Sequence, residues 1–173
     1  GNYFGAIKNW VKVQYDYKTY ISVVDYHSIT ITYDPKQLPE RVMDFAINLF
    51  ACGIDLEKTI LFIQSEVTGH ADLTWIFNSV TPIGELERMT QFKEKAKQNK
   101  KNINVGLFDY PVLQAADILL YKGEVVPVGE DQIQHIEFTR EVARYFNKRY
   151  GKTFPECEAL LTKTPRIMGL DGD

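Results

Sequence analysis

The stretch Asp109-Tyr-Pro-Val-Leu-Gln-Ala-Ala-Asp-Ile-Leu-Leu-Tyr121, followed by Lys-Gly-Glu and then Val125-Val-Pro-Val-Gly-Glu-Asp-Gln-Ile-Gln-His135, decides how this chain is read. It has the pattern of a helix, a short strand and the opening of a second helix. Pro111 fits the first turn of a helix, where its missing N–H costs nothing. At about 100° per residue, Val112, Ala115, Ala116, Leu119 and Leu120 share one face, while Tyr110, Gln114, Asp117 and Tyr121 line the opposite one. Asp117 is the only charge between Pro111 and Tyr121. A carboxylate in such apolar company is costly unless something donates a hydrogen bond to it. It either pairs with a neighbouring element or serves as a fixed acceptor in a ligand pocket, with two phenols beside it.

Working outward, the apolar run Val125 to Val128 ends at Gly129, and Glu130-Asp131-Gln132 opens an amphipathic segment reaching about Tyr150. A strand that passes through glycine into a helix is the usual nucleotide position in an open α/β sheet, outside the carboxyl end of the strand. Glu130 and Asp131 could accept there from ribose hydroxyls. The plainer alternative is that two acids simply favour a helix's first turn.

Composition bounds the function classes. At 173 residues and 45% hydrophobic the chain suits one globular domain with a real core. No apolar run approaches the ~20 residues of a membrane span, and no signal-peptide pattern opens the chain, so the cytoplasm or an organelle matrix is expected. Cys52 and Cys157 are isolated and the chain has 3 histidines, which suggests two buried thiols and neither a disulfide framework nor a metal site. A net charge of −3 supplies no global field for nucleic acid, so any RNA contact must be local or lie elsewhere. The Gly-x-Gly-x-x-Gly fingerprint of dinucleotide enzymes does not occur, which disfavours a dehydrogenase.

In chain order, Phe4, Ile7, Trp10, Val11 and Gln14 recur at helical spacing, with Gly1-Asn2 at the helix start. Tyr20 to Tyr26 is rich in β-branched and aromatic residues and predicts a buried parallel strand whose end, Asp25-Tyr26-His27, points polar groups into a crevice. His27 is either a hydrogen-bonded structural group or the border of a pocket. A helix follows from about Glu40 to Cys52, stopped by Gly53, and Thr59 to Gln64 is the next strand. His70 to Val80 reads as an amphipathic helix, turned by Pro82-Ile83-Gly84. Lys93, Lys95, Lys97, Lys100 and Lys101 form a cluster that is ordinarily a solvated face. Strand-like runs at 20–26, 59–64 and 124–128 alternating with helical patterns predict an α/β fold, a Rossmann-like parallel sheet with crossover helices.

The run Tyr110 to Tyr121 followed by Val-Pro-Val-Gly-Glu-Asp-Gln132 resembles the tryptophanyl-tRNA synthetases, class I aminoacyl-tRNA synthetases. Further matches occur in order at Gly1 to Ala6, Val24 to Thr30, Phe62 to Val67, Gly84 to Lys95 and Arg166 to Leu170, so the resemblance covers nearly the whole chain. It implies a tryptophan–tRNA ligase that makes tryptophanyl-adenylate from L-tryptophan and ATP, normally with Mg2+, and transfers the aminoacyl group to tRNA(Trp). It implies that Asp117 accepts the indole N–H, that Tyr110 and Gln132 lie near the α-ammonium, and that His27 borders the amino-acid pocket. Gly1, Asn2, Gly129, Glu130, Asp131 and Ile167 would hold ATP, and Lys95 would approach its pyrophosphate as the one catalytic side chain. Gln114 stands where many members carry Met and resembles a tyrosine-specific relative. A homodimer is implied, its contact suited by an exposed Trp75 and Phe77; neither a membrane nor DNA is an expected partner.

The resemblance further implies that residues 1–173 are a partial nucleotide-binding catalytic domain, beginning inside the first class signature and lacking the C-terminal helical anticodon-binding domain. Because Asp173 falls where the family places its Lys-Met-Ser-Lys-Ser loop, adenylate formation by this piece alone is expected to be at least about a thousandfold below that of the longer chain. Three other readings stay open. They are a tyrosyl-tRNA synthetase-like enzyme, a noncatalytic ATP- or tryptophan-binding module, and an interaction protein with an inherited fold.

Overall fold

The computed structural model describes residues 6–89 and 103–161. The expectations for Gly1, Asn2, Lys95 and Ile167 lie outside the described residues. Two parallel strand pairs organise the rest. Strand β1 (Thr19–Val23) pairs in parallel with β2 (Thr59–Ile63), Thr19 opposite Thr59 and Val23 opposite Ile63. Strand β3 (Val125–Val128) pairs in parallel with β4 (Glu158–Leu161), Val125 opposite Glu158 and Val128 opposite Leu161. Parallel neighbours need a long crossover. A helix lies on each crossover, giving the Rossmann-like α/β architecture that the alternation predicts.

Before β1 comes α1 (Lys8–Val13), and after it the short α2 (Asp25–Ser28). Helix α3 (Leu38–Ala51) carries a proline near its start, where the missing N–H is harmless, and stops before Gly53, whose φ of +106° suits glycine. Gln14, buried just after α1, ties this half together. Its Nε2 donates to the Gly53 carbonyl at 3.0 Å, and its Oε1 accepts from the Asp55 N–H at 2.8 Å and the Thr59 hydroxyl at 3.1 Å. Ile7, Ile21, Leu49 and Ile54 form the small core that these bonds enclose.

The larger core belongs to the helices. Helices α4 (Gly69–Asn78) and α5 (Ile83–Glu87) precede α6 (Val105–Leu119), and α7 (Ile133–Tyr150) follows β3. Val112, Ala115, Ala116 and Leu119 of α6 are fully buried against Leu73 and Phe77 of α4 and Phe138, Val142 and Ala143 of α7. A fully buried Leu or Phe contributes about 1.5–3 kcal/mol relative to exposure. The small Ala115 and Ala116 let two helices approach α6 together.

Several boundaries differ from the expectations for physical reasons. Pro111 is inside α6 rather than in its first turn, because the Asn104 side chain caps the helix by accepting from the Leu107 N–H at 2.9 Å. The strand expected to reach Tyr26 ends at Val23, and Asp25 to Ser28 turn helical, with the Asp25 carboxylate accepting from the Ser65 N–H at 3.0 Å. Phe77 is fully buried in the helical core, while Trp75 is 76% exposed. Positions two apart point to different helix faces, so an exposed Trp75 could not bring Phe77 with it. Cys157 is a buried free thiol, which burial pushes up to about 11, but Cys52 is only half-buried.

Candidate active site

The carboxyl ends of β1 and β3 deliver the polar side chains to one place. After β1, the α2 turn carries His27; after β3, Gly129 leads into a 3-10 turn over Glu130–Gln132 and then into α7. Between the two strand pairs lies a cavity of about 450 Å³ lined by His27, Tyr110, Gln114, Asp117 and Gln132. Trp10, Tyr20, Val24, Ile118 and Pro127 supply apolar and aromatic wall. All five residues expected around an amino acid therefore face one space, within the usual size range for small-molecule pockets of about 300–1,000 Å³.

Asp117 projects from the middle of α6 and is largely enclosed, its side chain 13% exposed. Its Oδ2 accepts from His27 Nε2 at 2.8 Å. Its Oδ1 accepts from Gln64 Nε2 at 2.7 Å and His70 Nδ1 at 2.6 Å. Burial pushes the Asp117 carboxyl up, but the hydrogen bonds from His27 and His70, the His27 charge and the Gln64 amide outweigh it and hold the group below the ordinary carboxylate range. An ionised acid accepts and never donates. The carboxylate that the sequence marked as needing a partner thus has three, from three separate elements, and still borders the cavity.

The phenol of Tyr110 is buried and lies 2.9 Å from His135 Nε2 on α7. Burial pushes it up to about 12, so it keeps its proton. Gln132 donates from Nε2 to Asp131 Oδ2 at 2.7 Å, which swings its amide toward the turn. Asp131 and Glu130 are exposed at the mouth of this turn. Gly129 is held at φ −76°, open to any residue, but a Cβ there would come within 2.7 Å of Asp131 Oδ1.

Sequence reasoning missed His70, Gln64 and His135. His70 is fully buried and reads on its own as one polar residue near a helix start. The missed signal was composition: the chain has 3 histidines, and all of them bond to Asp117 or Tyr110. Among the described residues no group of three or more histidines, cysteines or acids could hold a metal ion by itself.

A parallel α/β core with an aromatic-walled cavity near the carboxyl ends of β1 and β3 presents a small-molecule-sized pocket where proteins of this fold class bind their ligands. The comparison with known families is specific: residues 1–173 match the family described as tRNA synthetases class I (W and Y), and the chain belongs to it. It is 54% identical over 172 residues to a tryptophan–tRNA ligase from Wolinella succinogenes, covering 99% of this chain and 52% of that protein. The chain thus spans about half the length of such curated relatives. The solved tryptophanyl-tRNA synthetase from Campylobacter jejuni complexed with ADP and tryptophane superposes with a TM-score of 0.92 at 39% identity, covering 99% of this chain and 54% of that one. That from Mycoplasma pneumoniae gives 0.86 at 35% identity, covering 92% and 48%.

Proposed function

We propose that the chain is the amino-acid-activating part of a tryptophan–tRNA ligase, with L-tryptophan, ATP and tRNA(Trp) as substrates. The observation that carries this reading is the ionised, acceptor-only Asp117 at the edge of an aromatic cavity. Tryptophan differs from phenylalanine and tyrosine in presenting a donor-only N–H beyond a large apolar ring, and a fixed carboxylate answers it. The high identity to tryptophan–tRNA ligases supports the same choice.

In the reaction, the tryptophan carboxylate attacks the α-phosphorus of ATP in line and pyrophosphate leaves. No side-chain nucleophile is required, so the protein acts by positioning and by stabilising charge. Asp117 accepts the indole N–H while His27 borders the ring. Tyr110 and Gln132 lie near the α-ammonium, and Gln114 lines the same wall. Gly129, Glu130 and Asp131 meet the ribose side of the nucleotide, and Mg2+ enters with the ATP phosphates as part of that substrate. Gly1, Asn2, Ile167 and the pyrophosphate-facing Lys95 complete the proposed set. A homodimer, with the exposed Trp75 in its contact, and a cytoplasmic or organelle-matrix location belong to the same proposal.

ATP–pyrophosphate exchange by the full-length protein tests the reading. Exchange that depends on tryptophan is expected; exchange that depends on tyrosine instead, or none with either, would overturn it.

A further inference from the structure

The hydrogen bonds of Asp117 are distributed unevenly. A carboxylate offers about four acceptor positions, two on each oxygen. His70 Nδ1 and Gln64 Nε2 occupy both positions on Oδ1, whereas Oδ2 receives only the His27 ring N–H in the described structure. The two donors on Oδ1 are themselves fixed. Gln64 is fully buried and its Oε1 accepts the Tyr26 N–H at 3.0 Å, which sets the amide so that Nε2 faces Asp117. His70 is also fully buried, and its Nε2 meets the Tyr121 hydroxyl at 2.8 Å. An ionised acid has no proton to give, so His70 Nδ1 donates to it, while the Tyr121 hydroxyl at Nε2 holds the ring from its other side. The Tyr121 ring is in turn stacked on Tyr20 of β1, with centroids 4.9 Å apart.

We propose that His70, held by Tyr121, and Gln64 are positioning residues that lock Asp117 and leave one acceptor position, on Oδ2 beside His27, for the aromatic N–H of the substrate. This rests on the tryptophan reading above and adds where its selectivity resides. A free carboxylate facing a ring without an N–H turns toward water and loses little. A locked one cannot turn, so the ring leaves it desolvated and unpaired, and that penalty rejects the analogue. Discrimination therefore depends on donors that never touch the substrate.

The test uses the full-length protein in ATP–pyrophosphate exchange, with tryptophan and the analogue in which sulfur replaces the indole nitrogen. The quantity read is the ratio of the two kcat/KM values. His70→Leu keeps bulk and removes the donor, and is expected to lower the ratio at least about tenfold with the KM for ATP unchanged. His70→Asn places an amide N–H near the lost Nδ1 but gives up the Tyr121 contact, and is expected to keep a ratio between those of wild type and His70→Leu. A merely structural role would lower both kcat/KM values together and leave the ratio alone. A wild-type ratio in His70→Leu, or equal losses in the Leu and Asn variants, would overturn the proposal. Should His70→Leu not fold, Tyr121→Phe decides: a ratio reduced at least about threefold supports the lock, and an unchanged ratio overturns it. Tryptophan-dependent exchange without any wild-type preference over the sulfur analogue also counts against the lock while the ligase reading stands. Absence of tryptophan-dependent exchange fails the ligase reading itself.

Discussion

Asp117, which lines the cavity, and Asp131, in the turn beside it, are the two carboxylates of the proposed site, and they are built in opposite ways. Asp117 sits in the middle of α6, largely enclosed, with donors from α2, α4 and the turn after β2 converging on it. Asp131 sits in the exposed turn after β3, accepting from the amide of its neighbour Gln132. The first geometry is complete before any ligand arrives, and the second can adjust when one does. On the proposed reading, rigidity is concentrated where two similar aromatic rings would have to be told apart. A nucleotide recognised through many hydroxyls and charges needs less from any single contact.

Replacing Asp117 should break the rigid half. Asp117→Ala in the full-length protein is expected to lower kcat/KM for tryptophan roughly 10–1000-fold, about 1.4–4 kcal/mol, with the KM for ATP barely changed. Steady-state exchange measured against each substrate in turn checks this, and an effect confined to ATP would reverse the assignment of the two ends.

Acid should loosen the same half. The folded Asp117 carboxyl lies below its ordinary value of 3.8, so its contribution to stability is complete above that value and is lost as pH falls through the folded value. Melting temperatures of wild type and Asp117→Asn across this acid range are expected to converge as pH drops. A gap that stays constant down to the lowest pH at which both fold would show that the charge of Asp117 is not what stabilises it.

The adjustable half should respond less. Asp131→Ala is expected to weaken ATP about tenfold, near the lower end for a lost hydrogen bond to a charged group, because the residue is exposed. Tryptophan binding measured by calorimetry without ATP should be unaffected, as should the melting temperature, within about 0.5 kcal/mol of stability. Gly129→Ala should have the smallest effect. The added Cβ meets only the tip of the Asp131 side chain, which can rotate, so a loss of ATP affinity of about twofold to threefold is expected. A larger loss than in Asp131→Ala would mean that nucleotide and backbone come into contact at Gly129.

The faces of α6 were legible because Val112, Ala115, Ala116 and Leu119 keep helical spacing around a single charge, and β3 because an apolar run ends in glycine. The start of α6 was not: its cap, Asn104, lies beyond the apolar pattern and is followed by Val105-Gly106, a poor helix opening on propensity alone. Strand β4 was missed because Glu158-Ala-Leu-Leu161 has neither alternation nor β-branched residues; pairing with β3 makes it a strand. His70 and Gln64 were invisible as partners of Asp117 because each is about 50 residues away in sequence, and only the packing of α4 on α6 brings the imidazole to the acid. Trp75 shows the same limit from the other side, since helical periodicity identifies a face without saying what covers it.

The convergence of every histidine on Asp117 or Tyr110 has a practical consequence. In heavy water, once the amide protons have exchanged, imidazole Cε1 protons resonate downfield of most other carbon-bound protons, and in these 173 residues each such signal originates beside the same cavity. His27 would report the ring pocket, His70 the clamp behind it and His135 the buried phenol, so unlabelled protein contributes three resolved probes of one site and none from elsewhere in this stretch of chain.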